Sequence, residues 1–142
     1  MAEYVIDTTA VMNYLIADSY TLNAEALFDR VTDADRLITQ EFCLLEYTNV
    51  LWKQVRFHGM TYAQAQGLLR DLWAPPLHRA PMKRLLKASL DVALAHGLAV
   101  YDSAYLALSS RFGYPLITLD RQQQRAAVAE GISLKPLTDF QP

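Results

Sequence analysis

Residues 3–15 read EYVIDTTAVMNYL: four residues that favour extended backbone, an acid followed by two hydroxyl side chains, then a run with apolar residues at helical spacing. Tyr4, Val5 and Ile6 predict a short strand. Asp7, Thr8 and Thr9 supply the carboxylate and hydroxyls that cap a helix start, and the periodicity predicts a helix over 9–17. A strand therefore runs directly into a helix, with an acid at the junction.

The same alternation continues outward from this stretch. A second helix is predicted over 22–33, and RLIT at 36–39 reads as a second strand. Residues 41–57 place Leu44, Leu45, Leu51, Trp52 and Val55 around much of a helix surface, which predicts a largely buried helix ended by His58 and Gly59. Thr61 and Gln64 have the spacing of a capping box, opening a helix to about Trp73 that Pro75 and Pro76 stop. LHRA at 77–80 is a candidate third strand. Pro81 stands near the start of a helix carrying Leu85, Leu86, Ser89, Val92, Ala93 and His96, with Gly97 as its cap. A further helix spans about Tyr101–Arg111 and closes at Gly113. PLITL at 115–119 reads as a strand, 120–129 as a helix capped near Gly131, and ISLK at 132–135 as a last edge strand. The expected fold class is α/β: three layers, with a central, mainly parallel sheet of four or five strands flanked by helices.

Composition sets the class. At 142 residues, 52% hydrophobic and 20% charged, the chain matches one globular domain over 1–142. No repeat, low-complexity tract or linker divides it. No apolar run reaches membrane-spanning length, and MAEYVIDTTAVMNYL lacks the basic flank of a signal peptide, so a cytoplasmic protein is expected. Cys43, the single cysteine, reads as a small core residue. The net charge of −2 argues against indiscriminate binding to nucleic acid, but it is unevenly spread. Residues 1–52 hold nine acids and two bases, whereas 53–87 hold seven bases and one acid. A basic middle suits a phosphate backbone, and a solvated helix face explains it equally.

Four acids stand out because each interrupts an apolar context. Asp7 follows the first strand and Asp120 follows PLITL, which puts both at the carboxyl edge of a parallel sheet, where α/β proteins gather ligands. Glu46 lies between Leu45 and Tyr47, where an unpaired carboxylate is expensive. Asn49, Lys53 and Arg56 follow it at steps of three, four and three, a polar stripe with an acid at one end and phosphate-binding bases at the other. Asp102 interrupts LAVYDSAYLAL in the first turn of its helix, where the helix dipole favours the ionised form. Taken singly, Asp7 and Asp120 can be helix caps, Asp102 a dipole partner and Glu46 half of a buried ion pair. Taken together they predict a carboxylate cluster held by one or two Mg²⁺ or Mn²⁺ ions, hard cations suited to oxygen ligands and to phosphodiester hydrolysis.

These residues resemble the PIN-domain family, in particular the toxin nucleases of bacterial and archaeal VapBC toxin–antitoxin pairs. VIDTTAVMNYL resembles the opening strand with its acid and a hydroxyl two positions on, LLEYTNVLWK the helix bearing the second acid, VYDSAYLALS the third, and PLITLD the strand-borne Thr and final Asp. The resemblance covers essentially the whole chain. It implies a metal-dependent endoribonuclease that inhibits translation, with Asp7, Glu46, Asp102 and Asp120 as metal-site acids and Thr9 and Thr118 as supporting hydroxyls. It also implies a small antitoxin partner and a homodimer. RQQQR after Asp120 lacks the additional acid that some relatives place there, which bears on a second metal position. Arg121 is a candidate phosphate contact, but an exposed helix-start arginine is the reading preferred for it.

Other classes fit less well. A haloacid-dehalogenase-type phosphatase wants an acid two residues after Asp7, where Thr9 stands; a receiver-like switch finds Lys135 and Pro136 but no acidic pair after the first strand. His58, His78 and His96 are scattered and offer no zinc spacing. A catalytically inactive PIN-like module binding RNA or protein is the principal alternative. Trp52, Trp73, Tyr101 and Tyr105 have the chemistry to stack bases, but their spacing among leucines reads as core.

Overall fold

Alternation along the first strand divides the core in two. In the computed structural model, which describes residues 2–31, 35–73 and 76–142, β1 (Glu3–Ile6) turns Tyr4 and Ile6 into one apolar cluster and Val5 into another. The first cluster packs against α1 (Thr8–Leu15), α2 (Thr21–Val31), α3 (Cys43–Phe57) and α4 (Tyr62–Asp71). The second packs against α5 (Leu86–His96), α6 (Val100–Phe112) and α7 (Arg121–Ala129). The three-layer α/β expectation holds.

Between the layers lies a four-stranded sheet in the order β3-β2-β1-β4, with β2 at Arg36–Gln40, β3 at Leu77–Ala80 and β4 at Leu116–Ile117. All pairings are parallel. The chain steps from β1 to β2 to β3 on one side and returns through α5 and α6 to place β4 on the other side of β1. Strand order therefore reverses at β1 and β4, and the crevice beyond their carboxyl ends is the place where such sheets bind ligands.

Several caps are where the sequence puts them. Asp7 is the N-cap of α1 and accepts from the Ala10 N–H. Thr61 and Gln64 form a reciprocal capping box on α4. Gly97 and Gly113 close α5 and α6 in the left-handed conformation, at φ 65° and 70°, which a side chain would strain. Pro75, read as a stop for α4, and the last residues of the helix predicted over 22–33 lie outside the described residues. Cys43 is buried in the core. Among the described residues, no helix is long and apolar enough to cross a membrane.

Two expectations are corrected. ISLK does not form a strand; it contributes an isolated parallel bridge, Leu134 to Leu116, because β4 itself is only two residues long. And α3 is not largely buried: only Cys43, Tyr47 and Leu51 are, on one stripe, while Leu45, Trp52, Val55 and Phe57 face outward. Among the described helices the largely buried one is instead α6, whose middle, Ser103 through Ser109, is all buried, while Tyr101 and Phe112 at its ends are exposed. Apolar residues were placed around α3, but the sheet covers only one side of it.

Candidate active site

Asp7 leaves the end of β1 fully buried. Its Oδ1 accepts from the Thr9 hydroxyl at 2.7 Å and from the Ala10 N–H at 3.2 Å, and its Oδ2 accepts from the Thr118 hydroxyl at 2.6 Å. Each threonine is in turn fixed by the neighbouring strand end, since Thr9 Oγ1 accepts from the Leu119 N–H at 3.0 Å and Thr118 Oγ1 from the Asp120 N–H at 3.1 Å. The hydroxyls thus stitch the ends of β1 and β4 together around one carboxylate. Burial raises the Asp7 pKa to about 6; the bonds from Thr118, Thr9 and Ala10 oppose the rise, and the charge of Asp120 adds to it.

Asp120 caps α7, its Oδ1 accepting from the N–H groups of Gln122 at 2.8 Å and Gln123 at 3.3 Å. Asp102 sits in the first turn of α6 and accepts from Gln123 Nε2 at 3.3 Å. Burial, and then the charge of Asp120, raise its pKa above the ordinary range, with the Gln123 bond opposing. Among the described residues neither Asp102 Oδ2 nor Asp120 Oδ2 has a hydrogen-bond partner.

Glu46, in the first turn of α3, accepts on Oε1 from the Tyr105 hydroxyl at 2.8 Å and from Gln40 Nε2. Its Oε2 accepts from the Thr8 hydroxyl at 3.2 Å, which also lies 3.0 Å from the Tyr105 hydroxyl. Burial raises its pKa; Tyr105, Gln40 and Thr8 lower it, and Asp102 raises it. Among the described residues no arginine pairs with it, so the ion-pair reading of Glu46 is corrected there to a carboxylate held by hydroxyls and an amide.

The acids therefore form a chain of like charges, Asp7 to Asp120, Asp120 to Asp102 and Asp102 to Glu46. Among the described residues, none of the four makes an ion pair with a lysine, arginine or histidine. As the side chains stand, no group of three or more acidic, histidine or cysteine residues is placed to hold one cation, again among the described residues. An ion would then take one or two carboxylates and complete its shell with water and substrate oxygen, a ligand set that suits Mg²⁺ or Mn²⁺. The donors are all oxygen, two carboxylate oxygens have no partner among the described residues, and for Asp7, Glu46 and Asp102 burial and a neighbouring acid's charge both disfavour the charged form. The residues fit the cation.

A cleft of about 680 Å³ opens beside them, lined by Thr8, Thr9, Glu46, Asn49, Lys53 and Asp102 and flanked by Phe42, Leu45, Trp52 and Tyr101. Asp7 and Asp120 are not in its lining. Asn49 and Lys53 thus stand beside the acids. Arg56 does not line the cleft and lies over the Phe57 ring at 5.5 Å, and Arg121 lines a separate hollow with Arg125 and Val128. Four residues that hold the acids went unassigned in the sequence: Thr8, Gln40, Tyr105 and Gln123. Weak signals existed, since Gln40 directly follows the predicted second strand, Tyr105 lies one turn from Asp102, and Gln123 one turn from Asp120. Their partners across the sheet were not readable.

The sequence model of the PIN domain family matches residues 4–129. This chain belongs to the PIN domain family. Its relatives include Ribonuclease VapC3 of Pyrobaculum aerophilum, to which this PIN domain is 33% identical over 120 residues, covering 83% of this chain and 89% of the relative. A second, Exonuclease VapC9 of the same organism, is 27% identical over 123 residues, covering 84% and 82%. Among solved structures, VapBC2 from Rickettsia felis, bound to a DNA fragment from its promoter, superposes with a TM-score of 0.66 at 12% identity, over 94% of this chain and 98% of that one. At that identity the likeness concerns the fold. Asp7, Glu46, Asp102 and Asp120 all fall within the matched residues.

Proposed function

We propose that this PIN domain is a metal-dependent endoribonuclease, the toxin of a toxin–antitoxin pair, which hydrolyses RNA phosphodiester bonds and thereby inhibits translation. The observation that carries the reading is the run of four carboxylates, each repelling the next and without a basic partner among the described residues, beside a topological switch point. The similarity to a protein named ribonuclease supports the substrate, and the fold shared with VapBC2 supports a small antitoxin partner. The homodimer rests on the family resemblance.

Asp7, Glu46, Asp102 and Asp120 would hold one or two Mg²⁺ or Mn²⁺ ions. When bound, such ions supply charge neutralisation, activation of a water and stabilisation of the departing oxygen. The chain's own part is positional. Thr9 and Thr118 fix the Asp7 carboxylate, and Tyr105, Gln40 and Thr8 fix that of Glu46. Lys53 and Asn49, on the cleft wall, offer donors to the phosphate backbone.

The deciding experiment pairs calorimetric titration of Mg²⁺ and Mn²⁺ with cleavage of end-labelled and total RNA by the purified protein. The reading expects metal binding and internal fragments. Mononucleotides released from an end would place the protein with the relative named exonuclease. Metal binding without cleavage supports the inactive module, and no metal binding by folded protein overturns the site.

The hydroxyl support carries its own expectation. Thr118→Val removes the 2.6 Å bond that lowers the Asp7 pKa. Cleavage should fall roughly 10- to 100-fold, as when a residue that orients a metal ligand is lost, and the acidic limb of the pH–rate profile should move to higher pH. A profile unmoved by the substitution would show that Thr118 does not act through Asp7.

A further inference from the structure

The outward side of α3 and the first turn of α6 present two large aromatic rings that the fold does not use. Trp52 is 55% exposed and Tyr101 is 60% exposed, and both flank the cleft that contains Glu46 and Asp102. Tyr105, one turn beyond Tyr101, shows the contrasting case: it is fully buried and its hydroxyl is committed to Glu46. Trp52 touches Phe57 edge-on, with ring centroids 5.8 Å apart, a contact that supports the indole while the ring remains more than half exposed. Beside it Lys53 projects into the same cleft.

We propose that Trp52 and Tyr101 form a base-stacking subsite for single-stranded RNA, gripping nucleotides next to the bond that is cut. The inference rests on the endoribonuclease reading and adds to it the residues of this chain that hold the substrate's bases. Chemistry favours this occupant. A nucleotide chain carries alternating planar π-faces and phosphates, and the cleft wall carries aromatic rings beside a lysine that answer both. A basic peptide would satisfy the carboxylates but would leave Lys53 against like charge. A double helix is disfavoured, because its bases already stack on one another and expose no face to the rings.

The test uses the whole chain and a short mixed-sequence single-stranded RNA. The sequence has two tryptophans, so Trp73→Phe leaves Trp52 as the sole indole reporter. Stopped-flow mixing in Mg²⁺ should quench its emission before cleavage occurs. Trp52→Ala and Tyr101→Ala should each raise the RNA Kd and KM roughly 5- to 150-fold, the factor equivalent to about 1–3 kcal/mol per stacked base, with kcat little changed. Trp52→Phe and Tyr101→Phe should recover most of the loss. RNA with abasic residues around the cut should bind wild type as weakly as normal RNA binds the alanine variants, and those variants should lose no more with abasic RNA. Unchanged KM in both alanine variants, or equal binding of abasic and normal RNA, overturns the subsite while leaving the nuclease reading intact. Loss of affinity for a protein partner at unchanged RNA KM assigns the cleft to that protein and also overturns it. Wild type that neither binds nor cuts RNA removes both proposals together.

Discussion

Asp7→Asn and Asp102→Asn are each expected to lower RNA cleavage by at least roughly 10²- to 10³-fold, the scale of losing one preorganised electrostatic contact in an active site, while leaving the protein folded. The substitutions keep size and shape and delete one negative charge. For Asp7, the Thr9 hydroxyl and the Ala10 N–H can still donate to an amide oxygen, and Thr118 Oγ1 can accept from the amide nitrogen. For Asp102, the hydrogen bond that the carboxylate accepts from Gln123 can be kept by an amide oxygen. Circular dichroism should therefore be unchanged while cleavage in Mg²⁺ or Mn²⁺ collapses and calorimetric metal affinity drops. Variants that cut as fast as wild type would remove these residues from the site.

Asp7→Asn has a second expected effect with the opposite sign. The folded Asp7 titrates at about 6, above the ordinary 3.8. Below pH 3.8 both folded and unfolded chains are protonated there, and the folded state bears no penalty. As pH rises towards 6 the unfolded chain ionises while the folded one still holds its proton, so stability falls through this window and stays reduced above it. The gap corresponds to about 3 kcal/mol at neutral pH. Metal-free Asp7→Asn protein should consequently melt several degrees above wild type at about pH 7, and the two should converge at about pH 3.5. Saturating Mg²⁺ should narrow the difference at neutral pH, because a ligand that binds only the folded wild type stabilises it. An Asn variant that melts lower than metal-free wild type at neutral pH would mean that the surrounding hydroxyls stabilise the charge more than burial opposes it. Both outcomes together would show one carboxylate that lowers stability while serving the proposed site, the trade expected of an acid whose role is to bind a cation.

The sequence already carried the parts of this protein that depend on neighbours along the chain. A strand such as EYVI, a cap such as Asp7, the Thr61–Gln64 box and the left-handed Gly97 and Gly113 are settled within a few residues, and they came out as read. Asp7 and Asp120 were placed at one sheet edge because each follows a strand, and the alternation of strands with helices made the sheet parallel. The features that were missed depend on which surfaces meet. Helical spacing tells which α3 residues share a face but not how much of the helix is covered, so Trp52 and Leu45 were read as core when the sheet takes only the Cys43, Tyr47 and Leu51 stripe. Tyr101 was misread for the same reason, one turn from a tyrosine that is fully buried.

By itself, then, the sequence determined the elements, their order, their caps and four acids that apolar surroundings made conspicuous, because local propensity and periodicity act over a handful of residues. Tertiary structure alone decided that β4 pairs with β1, so that Thr118 reaches Asp7 across 111 residues, and that Tyr105 meets Glu46 across 59. It also decided that two aromatic rings stay in solvent beside the acids. Such contacts follow from the packing of whole layers, and packing is set by what each face finds opposite it.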